Sequence, residues 1–255
     1  KNGSPYDKPC GGMARISCID FLAHPEFIGE LDLFNTPEKV QFSIDGIKTG
    51  TEFYNINRKK IYQHLSRYTS VMLNTKPTGF SEYDDHVDVF VDRDVVQAKY
   101  VIGADGVYSQ VRRLFGNAVP SIQVVQYVVD PVNMPECFDM NTSISPSYYA
   151  WAIPVNGNVL LGSDASCKTL LEYGKEKFGI NSIIRTEAYS IAKITSQKDI
   201  ITGSKRILLV GEAAGLVNPV TGEGIYYALA SAKSAVSTIA FGNDYRNMIT
   251  NIGVM

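Results

Sequence analysis

Apolar residues in this chain recur at two spacings, and the change from one to the other marks out its elements. VQFSI (Val40 to Ile44) and HVDVFVD (His86 to Asp92) alternate apolar with polar positions, which predicts half-buried strands. NINRKKIYQHLSRY (Asn55 to Tyr68) instead sets Ile56, Ile61, Tyr62 and Leu65 at helical spacing, with Asn57 as N-cap. Phe27 to Phe53 reads as several short strands turning at Asn35 to Glu38 and at Asp45 and Gly46. VMLN (Val71 to Asn74), HVDVFVD and the run from Val95 to Gly103 form a three-stranded pattern with a turn at Asp84 and Asp85, ending in a buried strand. Beyond it, Ser109 is placed to cap a helix through Arg112, Arg113 and Leu114. VQYVVD (Val125 to Asp130) and YYAWAIPVNGNVLLGSD (Tyr148 to Asp164) predict strands, the latter folding back at Asn156 and Gly157, a strong hairpin signal. Leu170 to Phe178 and Ile183 to Ile194 read as helices. Ile207 to Val210 is a short apolar run that suits a strand covered on both faces, as in a parallel sheet. A long helix follows from Gly224, carrying Ala228, Ala230, Ala232 and Ala235.

Composition narrows the functional classes. At 255 residues with 45% hydrophobic and 20% charged residues, the chain can bury one large core or two modest ones. A formal net charge of −2 gives no electrostatic case for nucleic acid, and the basic pairs Arg58-Lys59 and Arg112-Arg113 are too small to form such a patch. No apolar run is long enough to cross a bilayer, so lipid contact would be peripheral. Cys10, Cys18, Cys137 and Cys167 form no CxxC pair, and His24, His64 and His86 are scattered, so neither a metal site nor a disulfide framework is expected. The default setting is reducing and cytoplasmic.

Candidate chemistry concentrates in the glycine-bearing turns. Gly211, Gly215, Gly222 and Gly224 allow close backbone approach, and the expectation is that several of their N–H groups face a ligand. The N-terminus of the following helix favours an anionic group, and Glu212 is an acceptor for hydroxyls. Asp105 and Gly106 make an Asp-Gly turn after the preceding strand, where the carboxylate could equally bond local backbone. Tyr149 and Trp151 share a strand face and would either line an apolar tunnel or pack in the core.

Taken together and in this order, these segments resemble the p-hydroxybenzoate hydroxylase-like flavoproteins. Within them, GEAAGLVNPVTGEGIYYAL (Gly211 to Leu229) is similar to the geranylgeranyl reductase family. The opening KPCGG (Lys8 to Gly12), the VIGADG turn and Tyr149, Trp151 and Pro154 of a YxWxFP-like motif extend the likeness. Gly215 and Tyr226 stand where aromatic hydroxylases carry histidine and asparagine, whereas Glu212 replaces the commoner aspartate, Ile153 a phenylalanine and Asp164 a glycine. The resemblance implies an α/β (α+β overall) protein with a Rossmann-like FAD-binding domain over residues 1–24, 54–118 and 201–255. A β-sheet substrate domain would take residues 25–53 and 119–200. Its FAD contacts would be Cys10, Gly11, Arg58, Asp105, Gly106, Gly211, Glu212, Pro219, Gly222, Gly224 and Ile225; Arg58 without the resemblance reads as a solvated first-turn arginine. Tyr149, Trp151 and Pro154 would meet substrate, and Cys10 is a candidate for catalysis.

The sequence contains no GxGxxG turn, the usual holder of the FAD pyrophosphate. The expectation is therefore that this βαβ unit lies upstream of Lys1, or that the chain lacks the adenosine half of the site. The activity implied is reduction of carbon–carbon double bonds in an isoprenoid lipid or pigment precursor, with electrons from ferredoxin or NAD(P)H and a cytoplasmic or membrane-peripheral location. The alternatives are a flavin monooxygenase or halogenase on the same scaffold, and a non-enzymatic remnant that does not bind FAD.

Overall fold

Local turn chemistry sets the hairpins. In the computed structural model, which describes residues 10–15, 17–18, 40–116 and 118–253, β2 (Val40–Ile44) and β3 (Ile47–Asn55) join through Asp45 and Gly46. Both turn residues have positive φ, 49° and 83°, as a two-residue hairpin loop of the primed type demands. β10 (Ala150–Val155) and β11 (Asn158–Ser163) join through Asn156 and Gly157 in the same way, with φ of 51° and 77°. The strands expected between Phe27 and Lys39 lie outside the described residues.

The chain forms two compact units, Lys1–Tyr68 with Ile122–Ile191, and Thr69–Ser121 with Ala192–Met255. The domains drawn from the sequence change at 24, 53, 118 and 200; the described residues of 1–24, and residues 54–68, instead group with the first unit, and residues 119–121 and 192–200 with the second. That unit carries an eight-stranded sheet in the order β1-β3-β2-β9-β10-β11-β8-β12. Here β1 is Met13–Arg15, β8 Ser121–Pro131, β9 Phe138–Asn141 and β12 Ile180–Ala192. One core of this unit gathers Phe42, Val124, Phe138, Met140, Tyr149, Trp151 and Ile153. A second joins Val129, Ala152, Leu161, Leu170 and Phe178, where α2 (Cys167–Phe178) packs.

Helix α1 (Arg58–Leu65) begins as expected, with Asn57 Oδ1 accepting from Lys60 N at 3.1 Å. An Asn57→Ala protein should lose about 1 kcal/mol of stability by urea unfolding; an unchanged midpoint would show that this cap contributes nothing. The helix expected from Ile183 to Ile194 is instead part of β12. Its Ile183, Ile184, Thr186 and Ile191 are β-branched, and pairing at the edge of a large sheet outweighs a weak helical spacing.

In the second unit, β4 (Pro77–Glu82), β5 (Val87–Val91) and β6 (Asp94–Ala98) form an antiparallel meander. Asp84 and Asp85 make the first turn, closed by Tyr83 N donating to His86 O at 2.9 Å. VMLN is not its first strand: Val71, Met72 and Leu73 are exposed and unpaired, and the pairing begins at Pro77. β7 (Val101–Gly103) leaves the three-stranded pattern and pairs in parallel with β13 (Ile207–Leu209), the strand read as belonging to a parallel sheet. β13 is buried throughout, but in β7 only Gly103 is. The long helix, α3 (Ile225–Phe241), is followed by α4 (Tyr245–Thr250). Tyr245 is buried in the core with Leu208, Leu209, Leu216 and Tyr227, and its hydroxyl donates to Leu209 O at 2.5 Å.

Candidate functional site

In the second unit, β7 and β13 run in register, Ile207 opposite Val101 through Leu209 opposite Gly103, and Val210 N donates to Gly103 O at 3.0 Å. Their following turns therefore leave the same carboxyl edge, which is where open α/β sheets place ligands. Gly103 has no room for a side chain, since a Cβ there would lie 2.6 Å from Leu209 Cδ2 and 2.9 Å from Val111 Cβ.

Asp105 serves its own turn: Oδ2 accepts from Gln110 N at 2.7 Å and from Val111 N at 3.4 Å. Ser109 N donates to Gly106 O at 2.9 Å, and Ser109 Oγ accepts from Arg112 N at 2.9 Å. Ser109 Oγ thus bonds ahead as a cap would, but the residue capping the following turn is Val111, which makes no side-chain cap bond, and that turn is only a short 3-10 one, Arg112–Phe115, ended by Gly116 at φ 121°. A full helix does not follow, because the chain turns at Gly116 after one turn.

The Gly211–Ala214 turn lies beside it. The group nearest to where Gly106 would carry a Cβ is Glu212 Oε2, at 3.8 Å. Glu212 Oε1 accepts from Ala192 N at 2.9 Å. Arg112 ties the two turns together: its guanidinium donates to Ala213 O at 3.4 Å and to Asp199 O at 2.7 Å, and the residue is 1% exposed. Burial lowers its pKa, with the charge of Asp199 opposing.

The glycine amides are not turned to a ligand as expected. Gly211 N donates to Ser231 Oγ at 2.9 Å, Gly215 N to Glu212 O at 3.0 Å and Gly222 N to Asn218 O at 2.9 Å. Asn218, which sequence reasoning passed over, closes the loop around Pro219 by accepting from Val220 N and Thr221 N, both at 2.9 Å. The signal for it was present as an Asn-Pro pair, a turn initiator. What the arrangement offers an anion is the positive end of α3. Gly224 caps it without a side chain, and no acidic residue stands in the first turn from Ile225. Of the alanines on this helix, Ala230 and Ala235 are buried, whereas Ala228 and Ala232 are exposed, Ala228 beside Gly211.

The first unit gathers the remaining site residues. The Cys10–Gly12 loop lies against β3 and β10. Asn55 Nδ2 donates to Gly11 O at 3.0 Å, Ile56 N to Gly12 O at 2.8 Å and Gly12 N to Cys10 Sγ at 3.4 Å. A Cβ on Gly11 would lie 2.4 Å from Ile153 Cδ1, so a larger residue there would have to push the end of that side chain aside. Arg58 is not a solvated first-turn arginine. Its Nε donates to Tyr62 OH at 2.9 Å, and although burial lowers its pKa, the facing Cys10 and Tyr62 raise it further. Tyr149 and Trp151 do share one face, but that face is core: they are 7% and 6% exposed, with ring centroids 5.9 Å apart. Pro154, opposite Val159, is half-buried. Among the described residues, no group of three or more His, Cys, Asp or Glu could hold a metal ion.

No protein-family profile matches the chain. A geranylgeranyl diphosphate reductase of Synechocystis is 24% identical over 273 residues, covering 91% of this chain. The chain spans only 66% of that relative's length. Among solved structures, a geranylgeranyl bacteriochlorophyll reductase-like protein from Thermoplasma acidophilum superposes with a TM-score of 0.71 at 22% identity, covering 98% of this chain and 72% of its own. The fold is that of the geranylgeranyl reductase-like flavoproteins. This flavoprotein fold also matches Klebsiella pneumoniae HpxO, solved with FAD and uric acid, at a TM-score of 0.65 and 15% identity, over 96% of this chain and 74% of that one.

Proposed function

We propose that the protein is an FAD-dependent oxidoreductase that reduces carbon–carbon double bonds of an isoprenoid. The observation that carries this is the meeting of the Asp105-Gly106 and Gly211-Glu212 turns at the carboxyl ends of two adjacent parallel strands. The residues there fit a flavin. Gly106, at φ 74°, leaves open the space before Glu212 Oε2, which supplies an acceptor for ribityl hydroxyls. The positive end of α3 suits the N1/O2 edge of the ring, where reduction places negative charge. Gly222, Gly224 and Ile225 bring the backbone to it, and Pro219 holds the loop shape.

When bound, reduced flavin supplies the hydride. The chain's task is to hold the alkene and deliver a proton. The resemblance assigns Tyr149, Trp151 and Pro154 to the substrate and Cys10 to catalysis, although Tyr149 and Trp151 are buried in the core of the first unit. A Cys10→Ser protein with full turnover would remove the thiol as proton donor. The likeness to a named geranylgeranyl diphosphate reductase supports an isoprenoid substrate; ferredoxin or NAD(P)H is the electron donor that this reading would call for. Among the described residues no helix is long and apolar enough to cross a membrane, so contact with a lipid substrate in a bilayer would be peripheral.

The test is spectroscopic and chemical. With FAD, the purified protein should show a yellow flavin spectrum that dithionite bleaches, and the reduced protein should add two hydrogens per double bond to geranylgeranyl compounds, read by mass spectrometry. A protein that retains no flavin would sink the cofactor assignment. Flavin retention with NAD(P)H-driven oxygen consumption and no alkene reduction would sink the reductase assignment alone.

A further inference from the structure

His86 stands in the turn between β4 and β5 with a carboxylate at each ring nitrogen. Nδ1 lies 2.6 Å from Asp85 Oδ1, and Nε2 lies 3.4 Å from Asp88 Oδ1. That Asp88 oxygen is buried and takes no hydrogen bond of good geometry among the described residues, which leaves the His86 ring as its ion-pair partner. The ring is held in place. Tyr83 N donates to His86 O at 2.9 Å, and the Tyr83 and His86 rings stack with centroids 4.7 Å apart and planes 16° from parallel.

A neutral imidazole carries one N–H and one lone pair, whereas the imidazolium carries two N–H groups. Facing two carboxylates, the neutral ring serves one and turns its lone pair to the other; the charged ring serves both. Stacking on Tyr83 favours the cation as well. The bond to His86 above all holds the Asp85 carboxyl below the usual carboxylate range, so this partner stays ionised wherever imidazole titrates. Glu82, Asp84 and Arg206 are the further charges at the turn. Arg206 acts on Asp85, and its Nε donates to Asp84 O at 2.7 Å. Its main-chain N donates to Glu82 Oε1 at 2.7 Å and its Nη1 to Lys99 O at 3.1 Å. Arg206 immediately precedes β13, so the turn that His86 fastens also holds the entry to that strand.

We propose that His86 is a pH-dependent clasp on the β4–β5 turn, closed when the ring carries two protons and half-open when it carries one. The stability it contributes is present on the acid side of the ordinary imidazole range, about pH 6.5, and is lost as pH rises through it. Through Arg206, the half-open form loosens the approach to β13 and to the Gly211–Ala214 turn beyond it. Neither flavin nor substrate is needed for it, so the clasp stands apart from the reductase reading.

The test compares wild type with His86→Gln and Asp88→Asn by thermal unfolding at pH 6 and pH 8. It also follows hydrogen exchange of the Tyr83 to Val89 amides by mass spectrometry, corrected for the intrinsic effect of pH on exchange. Wild type should unfold roughly 1–4 °C above His86→Gln at pH 6, and by less than half that margin at pH 8. Taking the difference removes every titration that the two proteins share. Between the two pH values Asp88→Asn should follow His86→Gln rather than wild type, because a neutral ring is enough for the one carboxylate left. Exchange of the wild-type segment should quicken by roughly two- to fivefold beyond the intrinsic change as pH rises. A margin over His86→Gln that is equal at both pH values, or larger at pH 8, overturns the clasp. An Asp88→Asn protein that keeps the wild-type response overturns it too, since Asp85 alone would then account for the effect. Should His86→Gln fail to fold, wild-type exchange still decides: protection unchanged from pH 6 to pH 8 overturns the proposal.

Discussion

A Gly162→Ala protein is expected to lose roughly 2–5 kcal/mol of stability, because one methyl group forces an indole out of place and strips a buried amide of its partner. Gly162 stands opposite Trp151 in the β10–β11 ladder, and a Cβ there would lie 2.1 Å from Trp151 Cζ2 and 2.2 Å from Cε2. The indole has no easy way to yield. Its Nε1 donates to Gln126 Oε1 at 3.0 Å, and Gln126, 1% exposed, donates in turn to Glu187 Oε2 at 2.8 Å. Rotating the ring breaks the first of these bonds inside the core. At about 2–4 °C per kcal/mol for a chain of this size, the melting temperature should fall by roughly 4–20 °C. Since Trp151 is the only tryptophan, its emission should also shift to the red in the folded protein. A loss under about 0.5 kcal/mol with unchanged emission would mean that the strand moves aside freely, and that the glycine is not there for the tryptophan.

This pair shows where sequence reading reached and where it stopped. That Tyr149 and Trp151 share a face follows from strand period alone, and the structure agrees. Whether the face meets core or ligand depends on what lies across from it. The answer, a bare glycine on the next strand with a buried glutamine behind it, comes from residues 11 and 25 positions away. Turns were legible for the opposite reason. Asn156-Gly157 and Asp45-Gly46 carry their own requirement for positive φ, so no distant partner is needed to place them. Ile183 to Ile194 failed as a helix because its apolar spacing satisfies two periods badly and neither well, leaving the sheet edge to decide.

The glycine-rich turn illustrates a subtler limit. The residue pattern located it, and the parallel register brings it beside the Asp105 turn as the motif order implied. Its amides, however, are largely consumed by Ser231, Glu212 and Asn218. A glycine shows that the backbone can approach something closely; it does not say whether that something is a ligand or the protein itself. At Gly211 it is α3, with Ala228 Cβ 3.1 Å from the site of a Cβ.

Arg112 is the residue on which the joined turns depend, and Arg112→Met should cost roughly 2–4 kcal/mol. Methionine keeps much of the volume, so the loss would come from charge-assisted bonds rather than from a cavity. Asp199 O and Ala213 O would each lose a donor in a place water reaches poorly. The parallel pairing of β7 with β13 is main-chain and should survive. The Gly211–Ala214 turn should then loosen relative to the Asp105 turn, and flavin retention should fall further than the change in melting temperature alone explains. Arg112→Lys separates the two contributions: a single ammonium can serve one carbonyl but not fork between two, so about half the loss should return. Should Arg112→Met bind flavin and unfold like wild type, the two turns are held together by the strand pairing alone, and the guanidinium is a bystander in the core.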